Sequence, residues 1–327
     1  MHKAAAAIVF MLVATFGVVV PSVAAATGDP KVVIIVGATH GATAGYRTDA
    51  DRAYAEAIKY TPNVVKVYSP NATWAKVKAA VVGASLVIYL GHGNGWPSPY
   101  TFDPKYTTKD GFGLNATAGA GDYNNKYYGE PYVSTLDLAP NAVVLLNHLC
   151  YASGNSEPGN SEPSISVARQ RADNYAAGFL KAGAAAVIAD GHAGAESYVR
   201  ALFTTHQSVE DMWRTMPFRN GHTVTFASAR TSGTTVYQDP EKPTAGFYRS
   251  LAVRKPGVTT DQVVTGQVVR GRATERSLPT STAGAPLVKA AGPTEPTNGT
   301  DLVPSDVVAR DSSSLGVRVP KVVYPLP

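Results

Sequence analysis

The sequence contains one cysteine, Cys150, among its 327 residues. A single cysteine excludes an internal disulfide, so the thiol is buried and inert, paired with another chain, or reactive. Histidines are also few, seven in all, and none of them forms an HExxH motif or another closely spaced pair of metal ligands. The sequence therefore predicts no bound metal and no cofactor.

Runs of positive charge are missing as well. The net charge is +5 and the isoelectric point is near 9.1, but the lysines and arginines are scattered along the chain. No stretch interleaves basic and aromatic residues in the way that a nucleic-acid groove requires. Nucleic acid is therefore excluded as the expected partner.

Long apolar runs are limited to the N-terminus. Lys3 precedes an apolar run from Ala4 to Val20, and Pro21 and small residues up to Ala26 follow it. This layout is typical of a secretory signal peptide over residues 1–26, so we expect a secreted or otherwise extracytoplasmic protein. An uncleaved anchor is the alternative, although the run is slightly shorter than the roughly 20 residues of a spanning helix. We expect no stable membrane insertion after cleavage.

The chain after this segment alternates apolar strands with amphipathic helices. An order of β-α-β-α-β is typical of a parallel sheet with helices on its faces. The predicted fold is therefore a three-layer α/β sandwich, formed by one domain over residues 27–255. Strands are predicted at 31–36, 64–68, 86–93, 142–150, 184–189, 223–227, 233–237 and 246–253, and helices at 49–60, 74–82, 164–182, 196–205 and 212–216.

Two parts of the chain depart from this alternation. Residues 94–140 are rich in Gly, Pro, Asn and Tyr, which predicts a long insertion loop without regular structure that walls a crevice. A surface loop without a role is the alternative. Residues 256–327 are dominated by Thr, Pro, Gly, Ser and Val, which predicts a partly disordered C-terminal extension. Within it, Val258 to Val269 has a pattern compatible with β pairing.

Two predicted strands end in residues that carry chemistry. The strand from Ala142 ends at Cys150, and the strand from Leu86 runs into His92 and Gly93. Ligands of open α/β sheets bind in the crevice beyond the carboxyl ends of the strands. If these two strands are neighbours, the thiol and the imidazole therefore project into one crevice.

A thiol and an imidazole in one crevice can carry out nucleophilic catalysis. A nearby imidazole or backbone dipole raises the thiolate fraction of Cys150. His92 can then protonate the leaving amine. The backbone N–H groups of Gly93 and Cys150 can bind the oxyanion, because glycine allows close approach to the main chain. A buried structural cysteine is the alternative.

Four further residues lie at or just beyond the ends of predicted strands and are candidates for binding substrate: Asp190, His192, His40 and His148. A different chemistry for the same set is zinc binding. Histidines from several strand ends, together with Asp190, can hold an ion and leave a position open for water. A metal-dependent hydrolase is therefore kept as an alternative, although no ligand motif supports it.

A hydrophobic strand followed by His92-Gly93, and a second one followed by Cys150, resembles the caspase-hemoglobinase fold of cysteine peptidases. That superfamily includes caspases, legumains, gingipains and clostripain. The segment AAGFLKAGAAAVIADGH, from Ala176 to His192, resembles the helix-strand unit that follows the cysteine in gingipain-like members. The resemblance covers roughly residues 31–253 and implies a catalytic dyad of His92 and Cys150.

Together these observations predict a secreted cysteine-type endopeptidase that hydrolyses peptide bonds through a thioester. Its expected partner is a peptide or protein substrate. The first alternative is a caspase-fold binding module that has lost turnover, and the second is the metal-dependent hydrolase. The sequence does not predict the cleavage specificity or the oligomeric state.

Overall fold

The computed structural model describes residues 28–266, which form an α/β domain around an eight-stranded sheet. The strands of the sheet are β1 (Val32–Val36), β2 (Val64–Tyr68), β3 (Ala84–Leu90), β6 (Leu138–Asn147), β7 (Ala186–Asp190), β8 (Val224–Ala227), β9 (Thr235–Gln238) and β10 (Arg249–Val253). Their order is β2-β1-β3-β6-β7-β10-β9-β8. The pairings from β2 to β7 are parallel, and those from β7 to β8 are antiparallel. The predicted, mostly parallel α/β sheet is confirmed.

Helices cover both faces of the sheet. They are α1 (Thr43–Ala57), α2 (Trp74–Ala80), α3 (Glu130–Val133), α4 (Ile165–Lys181), α5 (Ala195–Thr204), α6 (Val209–Thr215) and α7 (Thr260–Thr265), and a 3-10 turn spans His40–Ala42. Successive side chains of a strand point to opposite faces. In β1, Val33 and Ile35 pack on the side of α2, α3 and α4, whereas Val32 and Ile34 pack on the side of α1, α5, α6 and α7. Both faces of the central strands are therefore buried, which explains their uninterrupted apolar sequences.

The insertion at 94–140 is not the structureless loop that its composition predicts. It contains a hairpin of β4 (Phe112–Asn115) and β5 (Asn125–Tyr128), then α3, and it ends in the first residues of β6. The strands of the hairpin are only four residues long, so their pattern is lost among the surrounding Gly, Asn and Tyr residues. Strand β6 also ends earlier than predicted, and Cys150 therefore lies in the loop that follows it rather than at its last position.

The domain continues past residue 255, where the sequence places its end. Val258 and Val263 are buried in the same core as α1 and α5, and α7 is a helix rather than the paired strand considered for this segment. Thr259 and Gln262 form a capping box at its first turn. Within residues 28–266 no helix combines the length and the apolar character needed to cross a membrane. The predicted signal peptide and the remainder of the C-terminal extension lie outside the described residues.

The packing of α7 can be tested with two valine substitutions. Val263 is 1% exposed and Val82 is 50% exposed. We expect Val263→Ala to lower the free energy of unfolding by about 1–3 kcal/mol, because it removes buried methyl groups. Val82→Ala is the matched control and should change it by less than about 0.5 kcal/mol. Urea denaturation measures both, and equal effects of the two variants would contradict the inclusion of α7 in the domain.

Candidate active site

The loops that follow β3 and β6 are in direct backbone contact. The two strands are parallel neighbours in which Leu90 pairs with Asn147, so Gly93 and Cys150 each lie three residues beyond a paired position. A Cβ atom placed on Gly93 would lie 2.0 Å from the carbonyl oxygen of Cys150 and 2.9 Å from its nitrogen. Only glycine permits this approach. The predicted proximity of the two strand ends is therefore confirmed.

His92 is held between β3 and the β4–β5 hairpin. The hydroxyl of Tyr89 accepts the N–H of Gly113 (2.8 Å), and its single proton is shared between the carbonyl oxygens of Gly113 (2.9 Å) and His92 (3.1 Å). A Cβ on Gly113 would lie 3.3 Å from the Cβ of His92, so the hairpin packs directly against this histidine. The Nε2 atom of His92 is buried and has no hydrogen-bond partner among residues 28–266. One ring nitrogen is therefore left for a substrate or for the thiol proton.

The Cys150 thiol is free and half-buried, and it packs against the apolar core on the α4 side of the sheet. Burial raises the pKa values of five tyrosines around it, and the negative charge of a Cys150 thiolate contributes to each increase. Five phenol groups are therefore near enough to the thiol to be affected by its charge. These tyrosines are Tyr46, Tyr100, Tyr127, Tyr151 and Tyr248.

Burial shifts the pKa values of His92 and Cys150 in opposite directions. It lowers the pKa of His92 to about 4, with a smaller contribution from His40. It raises the pKa of Cys150 to about 12, and the carboxylate of Glu157 adds to this increase. A poorly hydrated environment disfavours both the imidazolium and the thiolate. Both groups are therefore neutral near pH 7 in the unliganded protein.

His40 lies beside His92, as expected for a residue of the same rim. Their ring centroids are 5.3 Å apart in an edge-to-face arrangement, and the other side of His40 stacks on Tyr123 at 4.8 Å. The backbone N–H of His40 donates to the carbonyl oxygen of Asp122 (3.0 Å). Arg47 bonds both Asp122 and the carbonyl oxygen of Ser69. The loop between β4 and β5 is thereby fixed next to the two histidines.

Asp190 has a structural role, which corrects the prediction that it binds substrate. Its side chain is buried, and Oδ1 accepts the N–H groups of His192 (2.8 Å) and Ala193 (2.7 Å). Oδ2 accepts the hydroxyl of Tyr198 (2.7 Å), and Arg249 lies 3.8 Å from the same oxygen. Both carboxylate oxygens are therefore engaged in holding the loop after β7.

The other two predicted substrate-binding histidines differ in position. The Nδ1 atom of His148 lies 2.8 Å from the carbonyl oxygen of Gly191, and its backbone N–H donates to the carbonyl oxygen of Asp190 (2.8 Å). His148 therefore links the ends of β6 and β7 instead of extending into the crevice. His192 is exposed, with Nε2 3.0 Å from a carboxylate oxygen of Glu241, and its ring packs against Tyr248 at 4.4 Å. It lies at the outer rim.

Three residues near the site escaped prediction because their importance depends on tertiary contacts. Tyr100 follows the His92 strand in the chain, and Glu157 follows Cys150; the hydroxyl of Tyr100 donates to Oε2 of Glu157 (2.7 Å). Arg171 connects the same two loops, since it donates to the carbonyl oxygens of Pro97 (2.6 Å) and Asn155 (2.8 Å). The only sequence signals were an abundance of tyrosine and a repeated Asn-Ser-Glu-Pro.

Comparisons with known proteins assign no function to the chain. No family model, no curated protein and no solved structure matches the chain. Within residues 28–266, no three His, Cys, Asp or Glu side chains are arranged to share a metal ion. The chemistry that the described site offers is therefore that of a thiol, an imidazole and the backbone N–H groups beside them.

The contact between the two loops predicts a strong effect of Gly93→Ala. The added methyl group overlaps the carbonyl group of Cys150, so one of the loops must move. We expect the free energy of unfolding to fall by about 1–3 kcal/mol and the rate of alkylation of Cys150 to change. Gly41→Ala is the control, because a Cβ there meets nothing within 4 Å. Denaturation and alkylation curves equal to those of Gly41→Ala would contradict the contact.

Proposed function

We propose that the chain is a secreted cysteine-type endopeptidase with a caspase-like fold, in which Cys150 is the nucleophile and His92 transfers the proton. One observation carries the proposal. The backbones of Gly93 and Cys150 touch at equivalent positions beyond two neighbouring parallel strands, and His92, the residue before Gly93, has a buried Nε2 atom without a partner among residues 28–266. A nucleophile beside a base with an available nitrogen is the arrangement that acyl transfer requires.

The reaction begins from the neutral pair. The sulfur of Cys150 attacks the carbonyl carbon of the peptide bond, and its proton passes to Nε2 of His92. The same proton then goes to the leaving amine as the carbon–nitrogen bond breaks, which leaves a thioester on Cys150. Water, activated by neutral His92, hydrolyses the thioester and restores the thiol.

The backbone N–H groups of Gly93 and Cys150 are the proposed donors to the oxyanion. Neither group donates to another residue within 28–266. Fixed donors aimed at the developing negative charge commonly make the largest contribution to acyl transfer. The glycine at position 93 brings the two N–H groups close together, because the backbone of Cys150 occupies the place of its missing side chain.

A second candidate function is a binding module that holds a peptide without cleaving it. The observation that favours it is the raised pKa of Cys150, which burial and Glu157 bring to about 12. A thiol of this kind is a weak nucleophile unless substrate binding changes its surroundings. The two candidates differ in turnover and share the crevice.

The dyad can be tested with substitutions in the chain recovered from the extracellular fraction. We expect Cys150→Ala to abolish hydrolysis of peptide substrates and labelling by a peptidyl halomethyl ketone. His92→Ala should lower kcat/KM by about 10²–10⁴-fold, the usual contribution of a general acid-base. His206→Ala is the control, because that histidine is exposed and pairs with Asp261. Peptide binding without hydrolysis by the unsubstituted chain would favour the binding module, and absence of the chain from that fraction would contradict export.

The pKa of His92 predicts an unusual pH profile. Burial and the neighbouring His40 lower this pKa to about 4, and His92 must be neutral to accept the thiol proton. Protonation of His92 therefore inactivates the site only when the pH falls to about 4. We expect kcat/KM to be level between about pH 5 and pH 7 and to be halved near pH 4.

His40→Asn provides the control for this profile. The substitution removes one of the two causes of the lowered pKa, so the acid limb should move to higher pH. A limb near the ordinary histidine value of about 6.5 in the unsubstituted enzyme would contradict the assignment of His92 as the base.

A further inference from the structure

A lysine and an asparagine are in direct contact at the base of the insertion. The Nζ atom of Lys109 lies 2.8 Å from Oδ1 of Asn94, and the amide nitrogen of Asn94 donates to the carbonyl oxygen of Thr108 (2.9 Å). Both ends of the amide group are therefore held. A carbonyl bond is about 1.2 Å long, so the Cγ atom of Asn94 is no more than about 4 Å from the lysine nitrogen.

The lysine of this pair is buried. Lys109 is 2% exposed, its Nζ atom also donates to Oγ of Ser98 (3.3 Å), and the centroid of the Tyr100 ring is 5.4 Å away. Burial lowers the pKa of Lys109, and the charges of three carboxylates offset only part of this decrease. The neutral amine, which is the nucleophilic form, is therefore favoured more than in an exposed lysine. These carboxylates belong to Asp110, Asp103 and Glu157.

A buried carboxyl group lies beside the same contact. The backbone N–H of Asp110 donates to the carbonyl oxygen of Asn94 (2.9 Å), and its Oδ1 atom accepts the backbone N–H of Trp96 (3.2 Å). Its Oδ2 atom is buried and has no hydrogen-bond partner among residues 28–266. Burial holds the pKa of this carboxyl group well above its ordinary value, which favours the protonated acid. Such a group can both give and receive a proton.

We propose that Lys109 and Asn94 form an intramolecular isopeptide bond and that Asp110 transfers the protons. The amine of Lys109 attacks Cγ of Asn94, and a carbon–nitrogen bond forms. Asp110 gives its proton to the amide nitrogen of Asn94 and receives one from Nζ, and the bond between Cγ and the amide nitrogen breaks. The products are a secondary amide and one molecule of ammonia. Asp110 is restored, and neither an oxidant nor a cofactor is consumed.

This modification is independent of the proposed peptidase function. It requires only the folded chain, because folding holds the amine against the carbonyl group and makes the reaction intramolecular. The bond closes residues 94–109 into a ring, and α4 already holds this segment through Arg171 and Asn174, which donate to the carbonyl oxygens of Pro97 (2.6 Å) and Trp96 (2.8 Å). With one cysteine the chain has no internal disulfide, and the isopeptide bond restricts the unfolded chain in the same way.

A second lysine–asparagine contact provides an internal control. The Nζ atom of Lys255 lies 3.3 Å from Oδ1 of Asn141, but Lys255 is exposed to solvent. Hydration favours the charged ammonium group, which has no lone pair for attack. We therefore expect the peptides that contain Asn141 and Lys255 to remain separate in the same digest.

Mass spectrometry of the folded chain tests the proposal. We expect the unsubstituted chain to be lighter than its sequence by one molecule of ammonia, with the N-terminus assigned from its own peptide. Trypsin does not cleave after an acylated lysine, so the digest should contain residues 79–105 joined to residues 106–126. Fragmentation of this product should place the link between Asn94 and Lys109.

Two conservative variants stop the reaction and preserve the surrounding contacts. Lys109→Arg keeps the positive charge but has no nucleophilic amine. Asp110→Asn keeps an oxygen for the N–H of Trp96 but has no proton to transfer. Both variants should have the full mass of their sequences, and circular dichroism verifies their fold. Lys109→Arg should also lower the melting temperature by about 5–10 °C, because the ring is open.

One other reaction releases ammonia from the same residue. The backbone nitrogen of Gly95 can attack Cγ of Asn94 and form a succinimide, which would persist in Lys109→Arg and would join no two tryptic peptides. Finding this product in place of the link overturns the proposal. The full sequence mass of the unsubstituted chain, with peptides 106–109 and 110–126 released separately, also overturns it. A link that forms equally in Asp110→Asn overturns the role of Asp110.

Discussion

The site depends on the contact between two backbones, those of Gly93 and Cys150. Parallel pairing of β3 with β6 brings the loops after these strands to the same height, and the missing side chain at position 93 lets them touch. A larger residue there would overlap the carbonyl group of Cys150 and force the two loops apart. Neighbouring contacts hold the two loops in this position. One of them is made by the Tyr89 hydroxyl, which bonds the carbonyl oxygens of His92 and of Gly113 in the hairpin.

Buried charges beside the crevice serve the fold. Asp190, Arg249 and Asp239 form a network below the exposed edge, in which Arg249 donates to Asp239 (2.7 Å) and Tyr198 donates to Asp190 (2.7 Å). Both carboxylate oxygens of Asp190 accept hydrogen bonds, from the backbone N–H groups of His192 and Ala193 and from the hydroxyl of Tyr198. These contacts are why Asp190 holds the loop after β7 instead of binding a ligand.

The sequence predicted the parts of the fold that local patterns determine. The apolar runs of β1, β3 and β7 were located within three residues, and Ser164 and Ser208 cap α4 and α6 through their hydroxyl oxygens. Periodicity and capping act over a few residues, so they are visible in the chain itself.

The parts that sequence patterns missed are set by distant partners. Local sequence does not show that the carboxylate of Asp190 contacts Tyr198 and Arg249, which is 59 residues later. Glu157 lies in a Gly- and Pro-rich loop, and its only side-chain hydrogen bond within residues 28–266 is to Tyr100, 57 residues earlier. The β4–β5 hairpin depends on its packing against Gly37 and His92, which no periodicity reports.

Electrostatics sets the resting state of the site. Burial keeps both His92 and Cys150 neutral, since it lowers the pKa of the first and raises that of the second. The charge of Glu157 opposes the thiolate further while the crevice is empty. Burial is the larger of these two causes, so a substrate that binds beside Cys150 must change the surroundings of the thiol before the sulfur can attack.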